Sequence, residues 1–147
     1  LRRQRQMCIR DSLADALYAV VSGCMEDEFQ QAVYADPDMT LEQMNALYRR
    51  LAEEYGLADL YGYTGTEWAM IPHTFQSPMY YISYATSMVA AFELWTLSLT
   101  DADAARTAYL NILQRGAYAK FRETLSANGL GDPLSPATIE SIAAALS

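Results

Sequence analysis

The sequence predicts an all-α helical bundle, and three observations predict it. Apolar residues recur at three- and four-residue spacing in several separate runs. Helix start and stop signals punctuate those runs at short intervals. No stretch alternates apolar and polar residues over a useful strand length. The composition agrees: 147 residues, 52% hydrophobic and 19% charged, suit one soluble domain with a core rather than a disordered tail. Ten Lys and Arg against 18 Asp and Glu give a net charge of -8, a poor match to a phosphate backbone, so nucleic acid is not an expected partner. Two cysteines make no disulfide framework. A single histidine excludes zinc patterns that need two from this chain.

The first twelve residues, Leu1 to Ser12, stand apart. They carry four arginines and one acid, with no cap and no helical period. A signal peptide would need an apolar stretch after the arginines, and there is none. A basic arm would be a small patch on an acidic chain. From Arg2 to Ser12 the run instead follows the conceptual translation of a transposase-based sequencing adapter, so it is expected to be non-native and poorly packed. On that expectation the native protein continues upstream and Cys8 drops out, leaving Cys24. The remaining 135 residues keep six basic and 17 acidic side chains, for a net charge of -11.

From Leu13 the pattern is helical. Leu13, Ala16, Leu17, Val20, Val21, Cys24 and Met25 recur at helical spacing, and Phe29, Ala32 and Val33 extend the run to Tyr34. Gly23 weakens its middle by about 1 kcal/mol relative to Ala. Asp36-Pro37-Asp38 breaks it. Thr40-x-x-Gln43 is a capping box that starts a second helix. Leu41, Met44, Leu47, Tyr48, Leu51 and Tyr55 form its apolar face, and Gly56 ends it. Ala58 to Thr66 reads as loop, and Trp68 to His73 as an apolar lead-in.

Ser77-Pro78 predicts an N-cap with proline at the first helical position. The run from Met79 to Leu99 holds one charge, Glu93, and is apolar on nearly every face, which predicts a buried helix. Its length also admits a membrane span. Glu93, three tyrosines and several hydroxyls argue against that. Thr100-Asp101 caps a helix with Ala105, Ala108, Tyr109, Ile112 and Leu113 inward, ended by Gly116. Phe121 and Leu125 sit on a short helix closed by Asn128-Gly129. Ser135-Pro136 starts a last one, with Ile139, Ile142, Ala143 and Leu146 inward.

Chemistry has few places to reside. His73 lies before a buried helix, either as a structural imidazole or as a group presented on a loop. The tyrosines cluster: Tyr61, Tyr63, Tyr80, Tyr81 and Tyr84. Tyr81 and Tyr84 share a helical face by spacing, as do Tyr80 and Tyr84. They read either as aromatic core or as phenol donors aimed, with His73, at a carbonyl or a developing oxyanion. Glu26-Asp27-Glu28, Glu53-Glu54 and Asp101 with Asp103 read as solvated charge runs. Glu28 is within possible reach of the tyrosine-rich helix. There is no HExxH, CxxC, phosphate-binding loop or nucleophile elbow.

The segment from Trp68 through His73, Ser77-Pro78 and Tyr80-Tyr81 to Tyr84 and Ala91 resembles a stretch near the C-terminus of oligoendopeptidase F, a helical zinc peptidase related to thimet oligopeptidase. Asp27-Glu28-Phe29-Gln30, Val33-Tyr34 and Pro37-Asp38-Met39-Thr40 resemble the preceding helix and turn. Gly129-Leu130, Asp132-Pro133 and Ile139 resemble the terminal segment. Gly116-Ala117-Tyr118 departs from a more glycine- and serine-rich turn.

The resemblance implies a C-terminal portion of a larger helical catalytic domain, spanning residues 13–147. It implies zinc in the parent, held upstream by HExxH and a later Glu, and none bound by this chain. His73 and Tyr84 match catalytic groups, Tyr84 as oxyanion donor. His73, Tyr80, Tyr81 and Tyr84 match substrate-binding positions, with Tyr80 and Tyr81 open to exchange. The expected partners are an oligopeptide substrate and the upstream part of the same protein, without nucleic acid or membrane. The expected location is cytoplasmic, and this chain alone is expected to be inactive. The other reading is a non-enzymatic helical module that binds a peptide or partner.

Overall fold

The computed structural model describes residues 2–115 and 118–146, with side chains from residue 11 onward. Every regular element among the described residues is helical: α1 (Arg2–Ala35), α2 (Leu41–Glu54), α3 (Leu57–Tyr61), a 3-10 turn (Glu67–Met70), α4 (Pro72–Gln76), α5 (Ile82–Thr100), α6 (Ala102–Arg115), α7 (Phe121–Ser126) and α8 (Pro136–Leu146). The all-α prediction therefore holds. No described helix is long and apolar enough to cross a membrane.

The chain divides into two compact units, Leu1–Ala85 and Thr86–Ser147. In the first, Met25 and Phe29 of α1 meet Tyr48, Leu51 and Ala52 of α2 and Leu57 of α3. Tyr18, Met44, Tyr63 and Trp68 pack around them. Burying each of these large side chains contributes roughly 1.5–3 kcal/mol. The rings make specific contacts as well as area: Phe29 meets Tyr48 edge-on at 5.0 Å between centroids.

Helix α1 starts eleven residues before the predicted point, because residues 2–22 hold neither Gly nor Pro to stop it. Asp11 and Ser12 are exposed, and the expectation of loose packing for the residues before them falls on side chains outside the described set. Gly23 is in place for contact rather than flexibility. A Cβ there would lie 2.9 Å from the Ala85 Cβ, so glycine lets the two backbones approach.

Helix α2 carries the predicted capping box, with Gln43 N–H donating to Thr40 Oγ1 and Thr40 N–H to Gln43 Oε1. Its buried residues are Tyr48, Leu51 and Ala52, whereas Leu41 is exposed because it precedes the first full turn over the core. The predicted loop after Ala58 contains α3, bracketed by Gly56 and Gly62 in the left-handed region, with Leu57 as its buried anchor.

Gly65 holds the chain against α2. Its φ is 112°, and a Cβ would fall 2.6 Å from the Asn45 carbonyl oxygen. Glu67 secures the turn by accepting the N–H groups of Thr64 and Gly65. Partial burial would raise this carboxyl, but those hydrogen bonds win and hold it down at about 2. Trp68 donates its indole N–H to Asn45 Oδ1 at 2.9 Å.

In the second unit, Ala90, Leu125 and Leu130 form the buried cluster, with Leu94, Leu97 and Ile112 against it. Asp101 caps α6 by accepting the Ala104 N–H. Ala105 and Ala108 of α6 are buried, but Tyr109 and Leu113 are exposed, so its inward face is narrower than the pattern predicts. The end predicted at Gly116 lies outside the described residues. Helix α7 closes with bonds from Leu130 N–H to Leu125 O and from Gly129 N–H to Ser126 O, a Schellman turn. Helix α8 starts at Pro136 as predicted and buries Ile142, while Ile139 and Ala143 remain exposed. Glu93 accepts the Gly131 N–H at 2.6 Å, which gives the one charge of α5 a structural task.

Two further expectations change. Ser77-Pro78 does not cap α5, which begins at Ile82. Nor is α5 buried on every face: Val89, Ala90 and Phe92 are, but Tyr84, Trp95 and Leu99 are not.

Candidate peptide-binding site

His73 sits on α4, a single turn with Pro72 at its start, and not on a loop. Proline's fixed φ suits that position and costs no hydrogen bond there. The turn ends where Ser77 N–H reaches His73 O at 3.1 Å. The chain then reverses through Ser77-Pro78-Met79-Tyr80, closed by Tyr80 N–H to Ser77 O at 3.1 Å. Met79 takes a φ of 61°, a strained value for a residue with a side chain. Its N–H donates to Oε1 of the buried Gln30 on α1 at 2.8 Å, and that anchor offsets the strain.

This reversal gathers the four predicted residues. The Tyr84 hydroxyl lies 3.3 Å from His73 Nε2. The His73 ring stacks on Tyr80, with centroids 5.6 Å apart and planes 14° apart. Tyr81 and Tyr84 meet His73 edge-on at 5.9 and 5.7 Å, and each other at 5.1 Å. A pocket of about 360 Å³ opens beside them, walled by Tyr18 and Ser22 of α1, by Ile71 and His73, and by Tyr81 and Tyr84. Tyr81 lines it, whereas Tyr80 covers a face of the imidazole from outside.

Burial, then the neighbouring Tyr18, Glu26 and Tyr84 groups, push the Tyr81 phenol up from its ordinary value. It therefore stays protonated at neutral pH and can donate. Chemically the pocket offers phenol hydroxyls and an imidazole that can hydrogen-bond a polar ligand.

Of the other clustered tyrosines, Tyr61 tilts against Tyr18 at 4.7 Å and is half exposed. Tyr63 belongs to the core and hydrogen-bonds the Tyr18 hydroxyl at 2.5 Å. Glu28 does not reach the tyrosine-rich segment. It accepts the Tyr55 hydroxyl at 2.8 Å, and burial with that bond pushes the Tyr55 phenol up to about 12.

Glu26 departs furthest from expectation. It is 1% exposed rather than solvated. Its Oε1 accepts the Tyr48 hydroxyl, and its Oε2 has no partner. Burial raises the Glu26 carboxyl to about 7, with the Tyr48 bond acting the other way. The signal that could have found it is spacing: Tyr18, Ser22, Glu26 and Gln30 fall four residues apart, a polar stripe along one side of α1.

Among the described residues, no group of three or more His, Cys, Asp or Glu could hold a metal ion. A larger open depression in the second unit has Lys120 and Arg122 on its wall. Both cations already pair with carboxylates, Glu123 and Asp132.

No family model matches the chain, and no curated protein does either. Among solved structures it is similar to Pz peptidase A with inhibitor 2, at 26% identity and a TM-score of 0.79, over 90% of this chain and 25% of that one. It is also similar to a protein described as an oligoendopeptidase F from Bacillus anthracis str. Ames, at 24% identity and a TM-score of 0.71, over 92% of this chain and 22% of that one. The chain thus spans about a quarter of the length of either structure. Its fold is that of a peptidase-related helical domain.

Proposed function

We propose, from a fold shared with Pz peptidase A and an oligoendopeptidase F, that this chain is the C-terminal substrate-binding and oxyanion-stabilising portion of a zinc-dependent oligoendopeptidase acting on short peptides. The observation that carries the reading is the pairing of Tyr84 Oη with His73 Nε2 at 3.3 Å beside a pocket that Tyr81 also lines. A hydroxyl held there can donate to a carbonyl oxygen as negative charge develops on it, and His73 orients that hydroxyl. Tyr81 adds a second donor to the substrate backbone, and Tyr80 keeps the imidazole ring in place.

The described residues do not supply a metal site. The proposal assigns zinc, its ligands and the general base to an upstream part of the same protein, and no step through the metal to these residues. The proposal carries with it an oligopeptide substrate, a cytoplasmic location, and neither nucleic acid nor membrane as partner.

The test is cleavage of a quenched fluorescent peptide by two proteins. One is this chain, and the other is its gene product extended upstream through the first in-frame HExxH. The chain alone should be inactive, and the extended protein should cleave in a chelator-sensitive way. Chelator-sensitive cleavage by the chain alone would contradict the assignment of zinc to the upstream part. A reading frame that lacks HExxH would make this a non-enzymatic peptide-binding module.

A further inference from the structure

Beneath the pocket lies a chain of groups that its chemistry does not yet use. Ser22 lines the pocket, and Glu26 sits one helical turn further along α1. Glu26 Oε1 accepts the Tyr48 hydroxyl. The Tyr48 ring stacks on Tyr63, with planes 14° apart and centroids 6.2 Å apart. The Tyr63 hydroxyl bonds that of Tyr18 at 2.5 Å, and Tyr18 is a wall of the pocket. The buried carboxyl is thus connected to the tyrosine wall by one hydrogen bond, one stacked pair and a second hydrogen bond.

We propose that Glu26 is a proton-holding positioning residue for this pocket: neutral, it admits an anionic group of the ligand, and ionised, it disfavours one. The proposal rests on the reading that the pocket receives a peptide. A buried carboxylate with one unpartnered oxygen is costly, whereas a neutral acid there is not. The titratable groups facing it are the phenols of Tyr48 on α2, of Tyr63 after α3 and of Tyr81 before α5, with Tyr18 two turns back on α1. No described lysine, arginine or histidine pairs with it to hold a charge.

Burial sets its proton release near neutral pH, with the Tyr48 bond acting in the opposite sense. Once ionised, the carboxylate pushes the Tyr63 and Tyr81 phenols further up, and the same field opposes a ligand carboxylate.

The experiment uses the full chain, as wild type and as Glu26→Gln. The first readout is the NMR titration of the Tyr48 and Tyr63 rings from pH 5 to 9, since these two lie away from the ring contacts of His73. A common midpoint near 7, absent from Glu26→Gln, is expected. The second readout is calorimetric binding of an N-acetylated tetrapeptide with a free C-terminal carboxylate, against the same peptide as its amide. The carboxylate form should bind about threefold or more weakly at pH 8 than at pH 6, in the direction that a newly formed negative charge imposes. The amide should not change, and Glu26→Gln should flatten the difference.

Tyr48→Phe covers the case in which Glu26→Gln does not fold. It removes the bond that lowers the Glu26 carboxyl, so the midpoint read at Tyr63 should move upward. Rings that stay flat, or a midpoint that persists in Glu26→Gln, overturn the proposal even if the peptides bind. A ring titration without peptide binding at either pH keeps Glu26 as the proton holder and overturns the peptide reading instead.

Discussion

The region up to Ala85 and the region from Thr86 onward bury different things. The first closes on large rings and polar groups together: Phe29, Tyr48 and Met25 beside Ser22, Glu26 and Gln30. The second closes mainly on aliphatic residues, Val89, Ala90, Ala105, Ala108, Leu125, Leu130 and Ile142, with Phe92 as its buried ring, and leaves Tyr109, Leu110 and Leu113 exposed. Its buried polar residues are Thr124 and Thr138, and Thr124 bonds only four residues back, to the Lys120 carbonyl. A core that contains hydrogen-bonded polar groups specifies one arrangement, because a displaced side chain leaves a partner unpaired. That specificity lies where the candidate site is, and it fixes the Met79 turn and the Tyr18 wall.

The strongest way to break the comparison is to truncate one leucine in each region. Leu51→Ala should cost about 3–5 kcal/mol, since Leu51 is fully buried among aromatic rings that cannot collapse onto the gap. Leu125→Ala should cost less, about 2–3 kcal/mol, because the flexible aliphatic chains around it, Leu94, Leu97, Ile112 and Leu130, can relax into the gap more readily than rings. Urea unfolding of the two variants measures both, and equal losses would erase the distinction.

A smaller effect comes from pH and sharpens the comparison. The Glu26 carboxyl is raised in the folded chain from 4.5 to about 7. Below about 4.5 both the folded and unfolded chains hold the proton. Between 4.5 and 7 the unfolded chain releases it first, so stability falls, and above 7 the loss is complete at roughly 3 kcal/mol. Melting temperature should therefore decline across that window in the wild type. Glu26→Gln should remove most of the slope, and an unchanged slope would place its origin elsewhere.

The smallest expected effect belongs to the second region. Glu93→Leu strands the Gly131 N–H and should cost about 1–2 kcal/mol, read by the same unfolding experiment. A neutral outcome would mean that water replaces the carboxylate there.

Much of the fold was legible because its signals are local. The capping box at Thr40, the Asp36-Pro37-Asp38 break and the stop at Asn128-Gly129 each act within a few residues. His73, Tyr81 and Tyr84 were legible as candidates for a similar reason, being rare or clustered residues around prolines. What the pattern missed depended on tertiary partners. Ser77-Pro78 has the form of a cap, yet the buried Gln30, 49 positions away from Met79, turns the chain there instead. Glu26 has the form of a solvated acid within a charge run, and only Tyr48 on another helix makes its burial tolerable. The apolar count along α1 emphasised Leu17, which is exposed, and passed over the polar stripe that faces the core.

The central claim is that Tyr84 donates to a developing oxyanion, and turnover by the upstream-extended protein tests it most directly. Tyr84→Phe should lower kcat by roughly 10²–10³, the usual cost of one such donor, with KM little changed and the fold intact by circular dichroism. A kcat within twofold of wild type would contradict the account and return Tyr84 to the set of merely packed aromatic residues.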